Sequence, residues 1–288
     1  MRFGVAILPE APWKESVSRW RRADELGFAH AWTYDHLTWR MFRDQTWFTS
    51  IPTLTAAALA TERISIGTLV ASPNFRHPLL LAKDLIALDD ISRGRVIAGI
   101  GAGGHGWDAT MLGQDEWSAK ERSERFAEFV ELTDLLLREP VVNWRGKFYA
   151  VSEARTYPGC VQKPRLPLAI AAGARRGFEV AARFADLWVT IGDYGEGLLS
   201  GRQGAKLVGD QTRQIEEACQ KQGRDPKSLR RLVLSGVRLD SGLSSLESFR
   251  DTIGRYEEIG VTDFVVHWPR PTEPFKTNLE LFERIFSA

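Results

Sequence analysis

The sequence predicts an α/β fold, a (β/α)8 TIM barrel, and three observations predict it. Eight short apolar segments rich in β-forming residues alternate with eight longer amphipathic segments, which is typical of βα units around a parallel sheet. The chain has 288 residues, a little above the ~250 of one such barrel and too few for two large domains. No linker, low-complexity tract or charge block interrupts it, so we expect one domain over residues 1–288.

The strands are predicted from short apolar runs that end at glycine, proline or polar residues. In chain order they are residues 3–8, 29–33, 64–70, 95–100, 168–171, 187–191, 232–236 and 263–267. The helices are predicted from apolar residues at a spacing of three and four. In chain order they are residues 16–26, 51–61, 78–91, 119–137, 175–184, 207–222, 246–259 and 277–286.

Glycine and proline support several of these boundaries. Gly27 ends the first helix, and Gly94 follows the third helix at a position that favours glycine. Pro78 suits the first turn of that third helix, where a backbone N–H is not needed. Residues 141–151 stand outside the alternation and are predicted to form a small inserted β-hairpin, with Arg145-Gly146 at its turn.

Charge, hydropathy and cysteine content exclude several classes of function. Lys+Arg 38 against Asp+Glu 37 leaves a formal net charge of +1, which gives no global field for nucleic acid or an anionic membrane. No segment approaches the ~18 apolar residues of a membrane helix. Cys160 and Cys219 lack metal-binding spacing, so we expect no metal and no disulfide. With an N-terminal apolar run too short for a signal peptide, the expected location is cytoplasmic.

The loop after the second predicted strand carries Asp35 and His36, with Trp39 close behind. Functional groups of a barrel concentrate in the loops that follow the strands. A histidine there can donate to a bound ring or exchange a proton with it. We therefore take His36 and Asp35 as candidate catalytic residues. The alternative is a histidine that caps the loop or fills space.

Two further loops offer contacts for a planar ligand. The third strand ends in Leu69 and Val70, which could form a floor beneath a ring or could be ordinary strand packing. A glycine-rich run follows the fourth strand, at Gly101, Ala102, Gly103 and Gly104. It is not a Rossmann fingerprint, because that motif follows the first strand of its unit. Glycines without Cβ atoms allow a ligand to approach the backbone closely.

The turn after the fifth strand favours an anion. It comprises Ala172, Gly173, Ala174, Arg175 and Arg176. A helix that starts there directs free N–H groups outward, and the arginines add charge in a geometry suited to phosphate. The alternative is an ordinary helix cap with solvated arginines.

Several side chains near the strand ends are candidates for a substrate pocket. They are Trp39, His105, Trp107 and Trp268. Tryptophan suits a site that holds a flat ring, but core packing is the alternative for each.

Taken together, these loops resemble the luciferase-like monooxygenase superfamily, in its coenzyme F420-dependent branch. The resemblance covers nearly the whole chain and rests on motifs in a fixed order. They are AWTYDHL at 31–37, GTLVASP at 67–73, RHP at 76–78, LDDISRGR at 88–95, GIGAG at 99–103 and AGAR at 172–175.

The resemblance implies a deazaflavin across the barrel mouth, with hydride transfer to or from a small organic substrate. A non-prolyl cis peptide would fall at Leu69–Val70, and the phosphate-bearing tail would meet residues 173–176. His36 matches the family's active-site histidine. Relatives are commonly dimers, and the aromatic residues 42, 47 and 48 are candidates for an interface or for the core.

One departure concerns the family's sugar-phosphate dehydrogenases, which carry a catalytic glutamate after the glycine run. Here Gly104 holds that place and His105 follows. Glucose-6-phosphate dehydrogenase activity is therefore not expected. His105, Asp108 and Glu10 remain alternative proton donors.

Two rival functions keep the barrel. One is a two-component monooxygenase that uses reduced FMN, and the other is a flavin-binding protein without catalysis. A metal-dependent lyase or hydrolase would require clustered carboxylates or histidine pairs at the strand ends, which the sequence lacks.

Overall fold

Eight parallel strands close into a barrel in the computed structural model, which describes residues 1–39 and 42–287 and omits the Trp107 side chain. The closed barrel confirms the predicted (β/α)8 architecture. Its strands are β1 (Arg2–Ala6), β2 (His30–Thr33), β3 (Ser65–Ala71), β4 (Val96–Ile100), β7 (Leu168–Ala171), β8 (Leu187–Thr190), β9 (Arg230–Leu234) and β10 (Asp263–His267). They neighbour one another in chain order, and β10 pairs with β1 to close the barrel.

The inserted hairpin is also confirmed. Its strands are β5 (Val141–Arg145) and β6 (Ala150–Arg155), which pair antiparallel. The turn is wider than predicted and spans residues 146–149, closed by a hydrogen bond from the Gly146 N–H to the Tyr149 carbonyl. The Glu128 carboxylate accepts hydrogen bonds from the turn's backbone, which explains the wider form.

The helices surround the barrel and follow the predicted order with shifted ends. They are α1 (Trp13–Glu25), α2 (Ser50–Ala60), α3 (Pro78–Ile91), α4 (Trp107–Thr110), α5 (Ala119–Arg138), α6 (Arg175–Phe184), α7 (Gly201–Lys221), α8 (Leu246–Glu258) and α9 (Leu279–Phe286). The prediction of α7 was wrong at its start, because Ser200 and Gln203 form a capping box that begins the helix near residue 201. The prediction contained no counterpart of α4.

Two apolar layers follow from the strand pleat, which points successive side chains to opposite faces. One set fills the barrel interior and includes Trp32, Leu69, Leu187 and Val265. The other set lies between strands and helices, and its large buried members include Trp20, Phe129, Trp188 and Phe264. Cys160 and Cys219 are buried and free. Among the described helices, none is long and apolar enough to cross a membrane.

The base of the barrel, at the N-terminal ends of the strands, contains a buried carboxylate network. Asp263 on β10 accepts hydrogen bonds from His30 Nε2 (3.0 Å) and from the Arg230 guanidinium. Burial lowers the pKa of His30 and keeps the ring neutral, and its Nδ1 accepts from Trp32 Nε1 at 2.6 Å. Gly4 on β1 is required here, because a Cβ would lie 2.1 Å from His30 Nδ1.

The charge on Asp263 makes stability depend on pH. Burial raises the pKa of this carboxyl, but the hydrogen bonds from His30 and Arg230 outweigh it and hold the pKa well below its ordinary value. A carboxyl with a lowered folded-state pKa stabilises the fold above its unfolded pKa of about 3.9. That contribution is lost as the pH falls below this value.

We therefore expect Asp263→Asn to lower the free energy of unfolding at pH 7 by about 3 kcal/mol, because a buried ion pair loses one partner. The difference from the wild type should shrink as the pH is lowered from 5 to 3 in urea titrations. Asp251→Asn, which removes an exposed partner of Arg255, is the control and should cost less than about 0.5 kcal/mol. An equal loss in both variants would contradict the role of the network.

Candidate functional site

His36 lies at the C-terminal mouth, in the loop after β2, with its side chain 32% exposed. Its Nδ1 is hydrogen-bonded to the Asp108 carboxylate. Its backbone carbonyl accepts a hydrogen bond from Trp47 Nε1 at 2.9 Å. Among the described residues, its Nε2 has no hydrogen-bond partner, so this nitrogen is available to a ligand.

Asp108 lies on α4, in the loop after β4, and its carboxylate is buried. Besides His36, it accepts hydrogen bonds from the backbone N–H groups of Leu37 (2.7 Å) and Thr38 (3.4 Å). Two neighbouring mouth loops are therefore tied together at one carboxylate. From the sequence, Asp108 was predicted only as one of three alternative proton donors.

Asp35 is buried beside the mouth at 1% side-chain exposure. Its carboxylate accepts hydrogen bonds from Ser50 Oγ (2.5 Å) and from Arg76 Nε and Nη2 (3.0 and 2.6 Å). These partners belong to the start of α2 and to the loop after β3. The carboxylate therefore holds three segments together from a position shielded from solvent.

Aromatic rings line one side of the mouth. Trp39 stacks with Trp47 and with Phe275, both at a ring-centroid distance of 6.1 Å, and Tyr34 packs edge-on against it at 5.2 Å. The Tyr34 hydroxyl is 2.7 Å from His267 Nε2 at the end of β10. Burial lowers the pKa of His267 to about 3, so the ring is neutral and belongs to this wall.

The Leu69–Val70 peptide bond is cis, as the sequence resemblance implied. It lies at a register shift of β3 against β4, where Leu69 is buried and Val70 is partly exposed. Only glycine fits at position 101, because a Cβ there would lie 2.5 Å from Val70 Cγ2. The bulge on β3 and the glycine after β4 are therefore one packed unit.

The remainder of the glycine loop is more open. Ala102 and Gly103 are partly buried, and Gly103 has a φ of +72° that glycine adopts without strain. Gly104 is exposed, with no atom within 4 Å of a Cβ built there. The His105 side chain is 68% exposed and bonds to Glu116 at 2.8 Å, at the edge of the mouth.

In the turn after β7, no described side chain caps the first N–H groups of α6. Ala174 is the N-cap of α6 and provides no side-chain hydrogen bond to the first turn. Arg175 is 89% exposed and lies 3.4 Å from Glu179. Arg176 is half exposed and lies 3.7 Å from Glu124. Gly173 is exposed, and Ala172 is partly buried beneath the turn.

The structure does not bring every candidate to the mouth. Trp268 was a pocket candidate, but its ring is buried in the outer layer against Phe282 of α9, at a centroid distance of 5.5 Å. Trp107 starts α4, and its side chain lies outside the described part of the structure. Glu10 is paired with Arg270 at 2.9 Å.

The remaining aromatic candidates differ in burial. Phe42 is buried in the inner layer, Trp47 is partly buried and Phe48 is exposed. Within residues 1–39 and 42–287, no group of three or more His, Cys, Asp or Glu side chains could hold a metal ion. Sequence reasoning missed Tyr34, His267 and Phe275, although the even spacing of Trp32 and Tyr34 places both on the inner face.

Comparison with known proteins identifies a family. The family described as luciferase-like monooxygenase matches residues 1–242. An F420-dependent glucose-6-phosphate dehydrogenase of Amycolatopsis mediterranei is 33% identical over 168 residues, 57% of this chain and 49% of the relative. One of Segniliparus rotundus is 30% identical over 226 residues, 76% of this chain and 63% of the relative. The chain thus spans about half to two thirds of the length of these curated relatives.

Solved structures agree on the fold. An F420-dependent secondary alcohol dehydrogenase in complex with an F420-acetone adduct superposes with a TM-score of 0.82 at 16% identity, covering 100% of this chain and 99% of that one. The F420-dependent tetrahydromethanopterin reductase of Methanopyrus kandleri gives 0.76 at 18% identity, covering 99% and 96%. At these identities, the likeness establishes the barrel and its topology.

The contact between Val70 and Gly101 predicts a specific coupling in stability. Gly101→Ala should lower the free energy of unfolding by about 1–3 kcal/mol, because the new methyl group overlaps Val70. Added to Val70→Ala, it should cost about 1 kcal/mol less than it does alone. Gly104→Ala is the control and should change stability by less than about 0.5 kcal/mol. Strictly additive effects in a denaturant double-mutant cycle would refute the packed unit.

Proposed function

The chain belongs to the luciferase-like monooxygenase family, and we propose that it is an oxidoreductase that uses coenzyme F420. The proposed reaction moves hydride to or from a small organic substrate at the C-terminal mouth of the barrel. One observation carries the proposal: the His36 ring lies 6.1 Å from the Tyr34 ring and 6.4 Å from the Trp47 ring, and among the described residues its Nε2 has no hydrogen-bond partner. The names of the relatives support F420 as the cofactor.

The residues present fit the ring of a deazaflavin. The partly exposed Val70, above buried Leu69, would provide an apolar surface for one face of the ring. Gly101 would keep Val70 in place beneath the ring, because a Cβ there would lie 2.5 Å from Val70 Cγ2. Residues 102–104, which are partly buried or exposed, would border the ring's substituents.

The turn after β7 fits the phosphate of the cofactor. The first N–H groups of α6 are without a side-chain cap, and the helix dipole favours an anion at that end. Arg175 and Arg176 would add positive charge, since their pairings with glutamates are long and exposed. Gly173 leaves room for the anion, because the nearest atoms to a Cβ built there are 3.8 Å away.

When bound, the deazaflavin supplies a ring carbon that accepts or gives hydride and reacts poorly with oxygen. The protein's part is to orient the substrate and to manage one proton. His36 would hold that proton at Nε2, and Trp39, Trp47 and Phe275 would exclude water from the substrate side. An aromatic wall of this kind favours a moderately apolar substrate.

The two other candidates at the mouth take different roles. Asp35 would act as a positioning residue, because Arg76 and Ser50 occupy its carboxylate and solvent does not reach it. His105 is exposed beside Glu116, so it would at most contact substrate at the rim. A sugar phosphate is not the proposed substrate.

Cofactor binding is the first test. We expect purified protein to bind oxidised F420 saturably in a fluorescence titration, and FMN at least about 10-fold more weakly. Arg175→Ala should raise the Kd for F420 about 3- to 10-fold, since a charge-assisted contact to phosphate is lost. Arg183→Ala removes an exposed arginine from the far end of α6 and is the matched control. Tight binding of FMN alone would replace the proposal with a flavin-dependent monooxygenase.

His36 is tested by turnover. With a substrate found by screening alcohols and ketones against F420 absorbance, His36→Gln should lower kcat about 10²- to 10⁴-fold, because the proton acceptor is lost. The Kd for F420 should change less than about 3-fold. A variant that retains wild-type kcat would remove His36 from the chemistry.

A further inference from the structure

We propose that Asp108 is a positioning residue that fixes the proton of His36 on Nδ1 and so presents Nε2 to the substrate as a proton acceptor. The chemical consequence rests on the proposed function. The tautomer assignment depends only on the contacts of these two side chains and can be tested without cofactor or substrate.

The Asp108 carboxylate is held from three directions. Its Oδ1 accepts from the backbone N–H groups of Leu37 and Thr38, and its Oδ2 is bonded to His36 Nδ1. An ionised carboxylate only accepts hydrogen bonds, so the ring nitrogen that faces it must carry the proton. Because peptide N–H groups fix its Oδ1, the carboxylate cannot turn away from the ring.

A neutral imidazole carries one proton, and with that proton on Nδ1 the lone pair lies on Nε2. Within the described chain, no group is hydrogen-bonded to Nε2, and the ring is about one-third exposed. The Trp47 indole holds the His36 carbonyl, which fixes the backbone from which the ring projects. The arrangement is a base oriented by a carboxylate, the pattern that activates histidine in many enzymes.

Three other described carboxylates in the loops that follow strands are occupied by other partners. Asp35 is committed to Arg76 and Ser50, and Glu10 to Arg270. Glu116 bonds to His105 at the exposed edge. Asp108, in the loop after β4, is therefore the carboxylate that sets the tautomer of His36 in the loop after β2.

The proton step follows directly. In the oxidation direction, the O–H bond of an alcohol breaks and its proton goes to Nε2. The electron pair left on oxygen would form the carbonyl, and a deazaflavin bound at the mouth would accept the hydrogen of the same carbon as hydride. The imidazolium that results is stabilised by the ionised Asp108, and in the reverse direction it returns the proton to a ketone oxygen.

The test is ¹⁵N NMR of the imidazoles at alkaline pH, where the rings are neutral. The chain has five histidines, and the His36 signals are assigned by their loss in His36→Gln. In the wild type we expect a protonated Nδ1 and an unprotonated Nε2. Asp108→Asn should shift the population toward Nε2–H, because a carboxamide can donate as well as accept, whereas Asp108→Glu should restore part of the wild-type pattern.

The control is Asp115→Asn, which changes an exposed carboxylate in the same loop and should leave the His36 signals unchanged. With an active substrate, Asp108→Asn should lower kcat about 10²- to 10⁴-fold with little change in KM and should move the acid limb of the pH profile to lower pH. A wild-type His36 protonated on Nε2, or a tautomer unaffected by Asp108→Asn, would overturn the proposal. Absence of F420 binding with the expected tautomer would instead overturn the proposed function alone.

Discussion

The closure of β10 onto β1 determines the geometry of everything at the mouth. Once eight parallel strands form a ring, all of their C-terminal ends meet at one rim, and loops far apart in sequence become neighbours. At the opposite end, Asp263 on β10 binds His30 on β2 and Arg230 on β9. Asp263 and His30 are buried, and the contacts of Asp263 with His30 and Arg230 link the strands on both sides of the closing pair.

At the mouth, several side chains hold the loops together, and one side chain, His36, keeps a ring nitrogen available to a ligand. The buried Asp35 carboxylate joins three segments through Ser50 and Arg76, and the Val70 bulge is held against Gly101. His36 differs, because one ring nitrogen is occupied by Asp108 and the other has no partner among the described residues. Preorganisation of this kind suits a reaction in which the protein orients its reactants and moves a single proton.

Much of this architecture could be predicted from the sequence, because alternating periodicity is strong over eight repeated units. The cis bond at Leu69–Val70 was also predicted, but only from the resemblance to a family. The four-residue α4 has too few residues to show a helical period, so the contact of Asp108 with His36 could not be predicted. Trp268 follows the parity of Phe264 and Val266, which face the helices, and strand alternation applied one residue beyond β10 would have placed it outside the mouth.

In the proposed function, a deazaflavin lies at the mouth against Val70, and the substrate lies between the ring and Nε2 of His36. A crystal structure of the protein with oxidised F420 tests this most directly. The claim predicts the ring in van der Waals contact with Val70, the phosphate at the N-terminus of α6, and space for a small substrate between the ring and His36. A ring bound elsewhere on the barrel, or a His36 imidazole turned away from it, would contradict the claim.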